Sequence, residues 1–153
     1  MSSNIIKVQQ EDFDSSGLNS LIRDDSGSHG AIITFTGIVR EMASGPGLLA
    51  MELEHYPGMT EQALHAIIVQ ARSRWPLLQT RVIHRVGDLD LGDQIVFVGV
   101  TSAHRGAAFE ACEFIMDYLK TKAPFWKKEQ TPLESRWVDA RETDNSAADR
   151  WSE

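Results

Sequence analysis

Three groups of residues have the types and spacing to handle an anion. The first is Ser102-Ala103-His104-Arg105, where an apolar run (QIVFVGVT, 94–101) gives way to helical spacing. The first amides of a helix are unpaired and its dipole is positive there, so anions bind readily. Arg105 adds a permanent forked charge suited to phosphate, and His104 donates when protonated. The plain alternative is that Ser102 caps the helix while His104 and Arg105 are solvated. The second group is KTKAPFWKK (120–128), with four lysines and no acid in a chain of net charge -7. Lys120 follows Met116 by one helical turn and so borders a buried face. Lys127 follows a Pro124-Phe125-Trp126 corner that holds the chain rigidly. Lysines flanking such a corner can converge on one anion, and a partly desolvated lysine can move protons. The alternative here is lysines snorkelling over apolar surface. The third is Arg40, which ends an apolar strand just before MASGPG (42–47), a common placement for a ligand-binding charge and also for an ordinary surface residue.

Other chemistries find little support. His29, His55, His65, His84 and His104 show no metal-ligand spacing, and there is one cysteine, so no metal site is expected. Cys112 falls on an apolar helix face and reads as core packing, not a nucleophile. No Gly-rich phosphate loop and no nucleophile elbow occur. An acidic chain is a poor partner for nucleic acid, so single-strand binding through Lys and Trp is disfavoured. No apolar run is long enough to span a bilayer. The start, MSSNIIKVQQEDFD, has no basic segment followed by an apolar one, so no secretory signal is expected. With its lone cysteine this predicts a cytoplasmic protein.

The elements that must position these groups follow from the patterning. The 153 residues make one domain, 1–153, with 1–29 and 142–153 as periphery. An edge strand is expected near Ile5 to Val8, a short helix around Leu18 to Arg23, and a strand over Ala31 to Val39. Leu49 to His55 alternates, with Met51 and Leu53 facing one way and Glu52 and Glu54 the other. Thr60 caps a helix to Trp75 that buries Ala63, Leu64, Ile67, Ile68 and Ala71, and Pro76 ends it. Arg81 to Val86 is a strand, Gly92-Asp93 a turn, and Gln94 to Thr101 a central strand apolar on both faces. A helix from Arg105 to Thr121 packs Ala108, Phe109, Cys112, Ile115, Met116 and Leu119, and Pro124 stops it. A short strand at Arg136 to Val138 and a frayed tail complete the chain. Few, irregularly ordered strands and helices argue α+β.

The spacing raises a question of assembly. Arg105 and Lys120 stand at opposite ends of one helix, roughly 22 Å apart at helical rise. A small substrate cannot touch both. Either there are two anion sites, or the helix is interrupted, or the ends meet across a two-fold dimer with two composite sites, which is the reading preferred here.

FTGIVR (35–40), LEHYPGMT (53–60), GVTSAHR (99–105) and DYLKTKAPFWKKE (117–129) together resemble, in order, segments of the molybdopterin synthase large subunit family. The resemblance runs from about Gly30 to Arg141. It implies an α/β hammerhead-like fold with an additional antiparallel β-sheet. It implies a homodimer at the centre of a heterotetramer, with a small ubiquitin-like sulfur carrier at each end. That partner's C-terminal Gly-Gly thiocarboxylate would donate sulfur to cyclic pyranopterin monophosphate (precursor Z), twice, to form the dithiolene of molybdopterin. By position, Lys120 and Lys127 match the family's essential lysines and Arg40 an arginine of the same pocket. His104 and Arg105 match residues that hold the pterin phosphate from the neighbouring subunit. Ile38, Val39, Lys128 and Glu129 fall in substrate-contacting segments, and Phe35 and Met116 would line the channel for the partner's tail. No cofactor or metal is implied. The competing reading is a non-enzymatic module for an acidic or carboxylate-ended peptide.

Overall fold

The computed structural model describes residues 3–23, 25–40, 50–130, 135–138 and 142–152, without the side chains of residues 21, 129, 130, 136, 138, 142 and 143. The loop expected over 41–48 lies outside them.

Strands β1 (Ser3–Gln9), β4 (Gln79–Arg85), β6 (Gln94–Ser102) and β2 (Ala31–Ile38) form one sheet in the order β1-β4-β6-β2. β1 runs parallel to β4, and the other pairs are antiparallel. As expected, β6 is central and covered on both faces. Val96, Val98 and Val100 pack with α2 (Met59–Arg74) and α3 (Arg105–Lys122) in the main core. The alternate residue Phe97 stacks edge-on with Phe13 beneath α1 (Ser15–Ile22). At Gly99 a Cβ would come within 2.9 Å of Ile22 Cδ1, so the sheet can approach α1 only at a glycine. β1 is the expected edge strand. Arg72 of α2 ties it down, donating to the Ser3, Leu77 and Leu78 carbonyls and to Asn4 Oδ1.

The second sheet is antiparallel, in the order β5 (Gly87–Asp90), β3 (Ala50–His55), β7 (Phe125–Gln130) and β8 (Ser135–Val138). Its inner face rests on a small core of Val39, Met51, Leu53, Val86 and Leu89, with Phe125 against it. The chain passes from β4 into β5 through Val86 and Gly87, whose φ of 87° suits glycine. The mixed architecture, with its added antiparallel sheet, is the α+β arrangement expected.

Several local expectations need correction. Thr60 does not cap α2: Gly58, at φ 85°, is the N-cap, and its amide donates to Glu61 Oε1. Thr60 is buried instead, accepting from the Tyr56 amide and donating to the Pro124 carbonyl. Phe109 is 58% exposed although it shares the apolar pattern of α3. The corner at Phe125-Trp126 is the start of β7, and the tail folds into α4 (Glu142–Asp149). That helix lies on α3 because Trp151 wedges edge-on against Trp75 and Phe114. Asp117 holds Trp151 from below, accepting from its indole N–H at 2.7 Å and from Arg150 at 3.0 Å. Burial raises the Asp117 carboxyl above the ordinary range, partly offset by the Trp151 hydrogen bond.

Candidate active site

Two of the three cationic groups meet. Lys120 is in the last turn of α3, Lys127 is the third residue of β7, and Arg40 follows β2; all three line one cavity of about 230 Å³. Its floor is apolar, made by Val39, Met51 and Ile95, with Ile38 at the rim. Local geometry explains how Arg40 arrives. β2 shifts register at Gly37/Ile38, where Gly37 faces Val96 but Ile38 faces Gln94. Such a bulge re-aims the residues that follow. Val39 is then pinned between the Asp93 carbonyl and the Gly92 amide, at 2.9 and 2.8 Å. Lys127 is aimed by sheet alternation: it pairs with inward-facing Leu53, so it lies on the inner face.

A second cavity, about 390 Å³, adjoins the first and shares Lys120 and Asp144 with it. Phe35 and Met116 line it, together with Phe109 and Cys112. The result is a largely apolar trench that ends at a lysine. Cys112 is buried and its thiol is pushed up to about 12 by burial, so it is a wall and not a nucleophile.

His104 and Arg105 lie elsewhere. They are exposed at the N-terminus of α3 and line a cavity of about 380 Å³ with Gly30, Ala103 and Gly106. Ser102 does not cap the helix: it is buried, donating to the Pro76 carbonyl at 2.7 Å and accepting weakly from the His104 amide. His104 is the N-cap and makes no side-chain cap bond, which leaves the first amides of α3 to a ligand or solvent. Gly30 is essential to this turn, because a Cβ there would stand 2.0 Å from the Ala103 carbonyl oxygen. α3 is unbroken from 105 to 122, so an interrupted helix is ruled out and the separation from Lys120 remains.

Lys128 is on the opposite face of the second sheet from Lys127, with its ammonium 5.6 Å from the Trp137 ring. Glu129 pairs through its backbone with Met51, and its side chain is outside the described residues. Two residues near the site were not singled out from the sequence. Asp144, on α4, lines both adjoining cavities. His84, set aside as a metal ligand, is 4% exposed and lies flat against Phe125. The missed signal was its place between Val82 of β4 and Val86 just beyond it, both buried. Among the described residues no group of three His, Cys, Asp or Glu is placed to hold a metal ion, and no helix is long and apolar enough to cross a membrane.

Fold and site define a mixed α+β protein that collects fixed cations at the end of an apolar trench, as a protein that works on anionic groups requires. The family model described as MoaE protein matches residues 8–122. The molybdopterin synthase catalytic subunit of Vibrio cholerae is 56% identical over 146 residues, covering 95% of this chain and 97% of that one. The Escherichia coli protein of the same description is 64% identical over 122 residues, covering 80% and 81%. The solved structure of a molybdopterin biosynthesis MoaE protein from Burkholderia ambifaria superposes with a TM-score of 0.83 at 50% identity, covering 99% of each chain. The chain belongs to the MoaE family.

Proposed function

We propose that this chain is the catalytic subunit of a molybdopterin synthase. It accepts the C-terminal thiocarboxylate of a small ubiquitin-like sulfur carrier and passes the sulfur to cyclic pyranopterin monophosphate, twice, to build the molybdopterin dithiolene. The observation that carries this reading is the convergence of Arg40, Lys120 and Lys127 at the inner end of the trench walled by Phe35 and Met116. An extended tail suits the trench, and its charged end suits the cations.

The chemistry follows from charge. Thiocarboxylate, phosphate and the oxyanion that forms when water attacks the sulfur-linked acyl carbon are all negative. Fixed cations over an apolar floor stabilise such groups more than water does. Lys120 and Lys127 would hold the thiocarboxylate and the tetrahedral adduct, with one of them moving the proton. Arg40 would hold the pterin beside them, with Ile38 and Val39 against its ring. His104 and Arg105 would anchor the phosphate of a substrate bound to the neighbouring protomer, within a homodimer at the centre of a heterotetramer. The nucleophile arrives on the partner, the charge is the chain's own, and no cofactor is called for. The cytoplasm, where a buried thiol such as Cys112 stays reduced, is the compartment for this work.

Reconstitution tests the reading. The protein is mixed with thiocarboxylated partner and precursor Z, and molybdopterin is followed by the fluorescence of its oxidised derivative. Product that is lost in a folded Lys120→Ala variant is the expected result. Absence of product with the partner verified as bound would reduce the protein to a binding module.

A further inference from the structure

Lys120 and Lys127 hang from different parts of the fold. Lys120 is in the last turn of α3, which packs on the β1-β4-β6-β2 sheet, whereas Lys127 belongs to β7 in the other sheet. The distance between the two ammonium groups therefore depends on how one sheet is seated against the other. His84 stands at that seat. It is the penultimate residue of β4, and its ring lies against that of Phe125, the first residue of β7, with centroids 3.8 Å apart and planes inclined by 17°.

The ring is held in place from its own side. His84 Nδ1 is 2.8 Å from the Arg85 carbonyl. Burial, opposed by the hydrogen bond to the Arg85 carbonyl and helped by the neighbouring Lys120 and His55, holds its protonation down to about 3. A neutral imidazole facing a carbonyl must carry its proton on that nitrogen, which fixes both tautomer and rotation. Phe125 is fixed in turn by pairing with His55, by the adjoining core under the cavity floor, and by the Thr60 hydroxyl on the preceding Pro124 carbonyl.

We infer that His84 is a positioning residue for sulfur transfer: its ring is the plate on which Phe125 rests, and through Phe125 it sets where β7 presents Lys127 opposite Lys120. This rests on the function proposed above. A shift of about 1 Å in a reacting geometry costs up to about a hundredfold in rate. A histidine that merely filled space would alter the folded fraction and nothing else.

The test uses the full chain with thiocarboxylated partner and precursor Z. It reads the single-turnover rate constant per folded molecule and, separately, the affinity for the partner. His84→Ala is expected to lower the rate constant about tenfold to a hundredfold with partner affinity unchanged. Phe125→Leu, which keeps apolar bulk but removes the flat ring, is expected to do the same should His84→Ala fold poorly. His84→Phe, which keeps a plate, is expected to recover the rate to within about threefold, and His84→Ala/Phe125→Leu to be no worse than either single change. An unchanged rate constant in the folded variants, or no recovery by His84→Phe, would overturn the inference. If the wild-type protein made no molybdopterin, the function reading would fall by itself. Competitive acetylation of Lys127 would still decide the role of His84, since its reactivity must change in His84→Ala and Phe125→Leu if the seat is lost.

Discussion

Mixing two dead variants should restore activity. Lys120→Ala removes the cation at one end of α3, and Arg105→Ala removes the one at the other. The helix between them is continuous, and its 15-residue span puts them roughly 22 Å apart. The two cavities they line share no residue. If each working site takes Lys120 from one protomer and Arg105 from its partner, a mixed dimer holds one site with both residues intact and one with neither. Random reassortment of equal amounts makes half of the dimers mixed, and half of their sites whole. The expected turnover is therefore about one quarter of wild type, from two proteins that separately give almost none. The assay is co-refolding or co-expression, native mass spectrometry to verify the mixed dimers, and molybdopterin formation with saturating partner and limiting precursor Z, where loss of phosphate anchoring shows. No recovery in verified mixed dimers would refute the composite site, as would a monomer with full activity on sedimentation.

Two further outcomes follow from single residues. His84 is held near 3 against an ordinary 6.5, so between those pH values the unfolded chain takes up a proton that the folded protein refuses. Stability should therefore fall as pH drops through that window, by up to about 1.4 kcal/mol per unit from this residue. Urea unfolding at pH 7, 6 and 5 should show the slope flattened in His84→Phe, and equal slopes would exclude the effect. Gly30→Ala places a methyl where the Ala103 carbonyl stands, and a backbone atom cannot rotate away. A stability cost of about 1–3 kcal/mol is expected by thermal unfolding, with weakened precursor binding at the displaced His104-Arg105 turn. Calorimetry with wild-type affinity would show the turn to be unaffected.

The sequence pattern was most legible where burial alone decides structure. β6 is apolar on both faces and proved central; Met51 and Leu53 alternate with Glu52 and Glu54 and proved inward. It was least legible where tertiary contacts override local preference. ETDNSAAD has little intrinsic helicity, and α4 is held by Ala148 and by Trp151 between Trp75 and Phe114, partners remote in sequence. FWKKEQ is too polar to read as a strand until β3 supplies its neighbour. Only that pairing shows that Lys127 faces the cavity while Lys128 faces away toward Trp137. Thr60 has the composition of a helix cap, but Gly58 can take the positive φ and leaves the hydroxyl for Pro124. Of the candidate cations, the types at Arg40, Lys120 and Lys127 were evident; their convergence depended on a bulge and a sheet pairing. Asp144 and His84 could not be placed without the fold.

The sheet order has a consequence for birth on the ribosome. Among the described residues β2 finds its one strand partner in β6, with Ala31 opposite Ser102 and Ile38 opposite Gln94, and β1 waits for β4. The apolar segment AIITFTGI thus emerges between 56 (Ile38 to Gln94) and 71 (Ala31 to Ser102) residues ahead of its partners in β6. At ordinary elongation speeds that is roughly 3 to 13 seconds with an uncovered strand edge. A chain arrested before residue 102 should not be a weak enzyme but an aggregate, and the stretch from Ala31 to Ile38 is where a holdase would grip it.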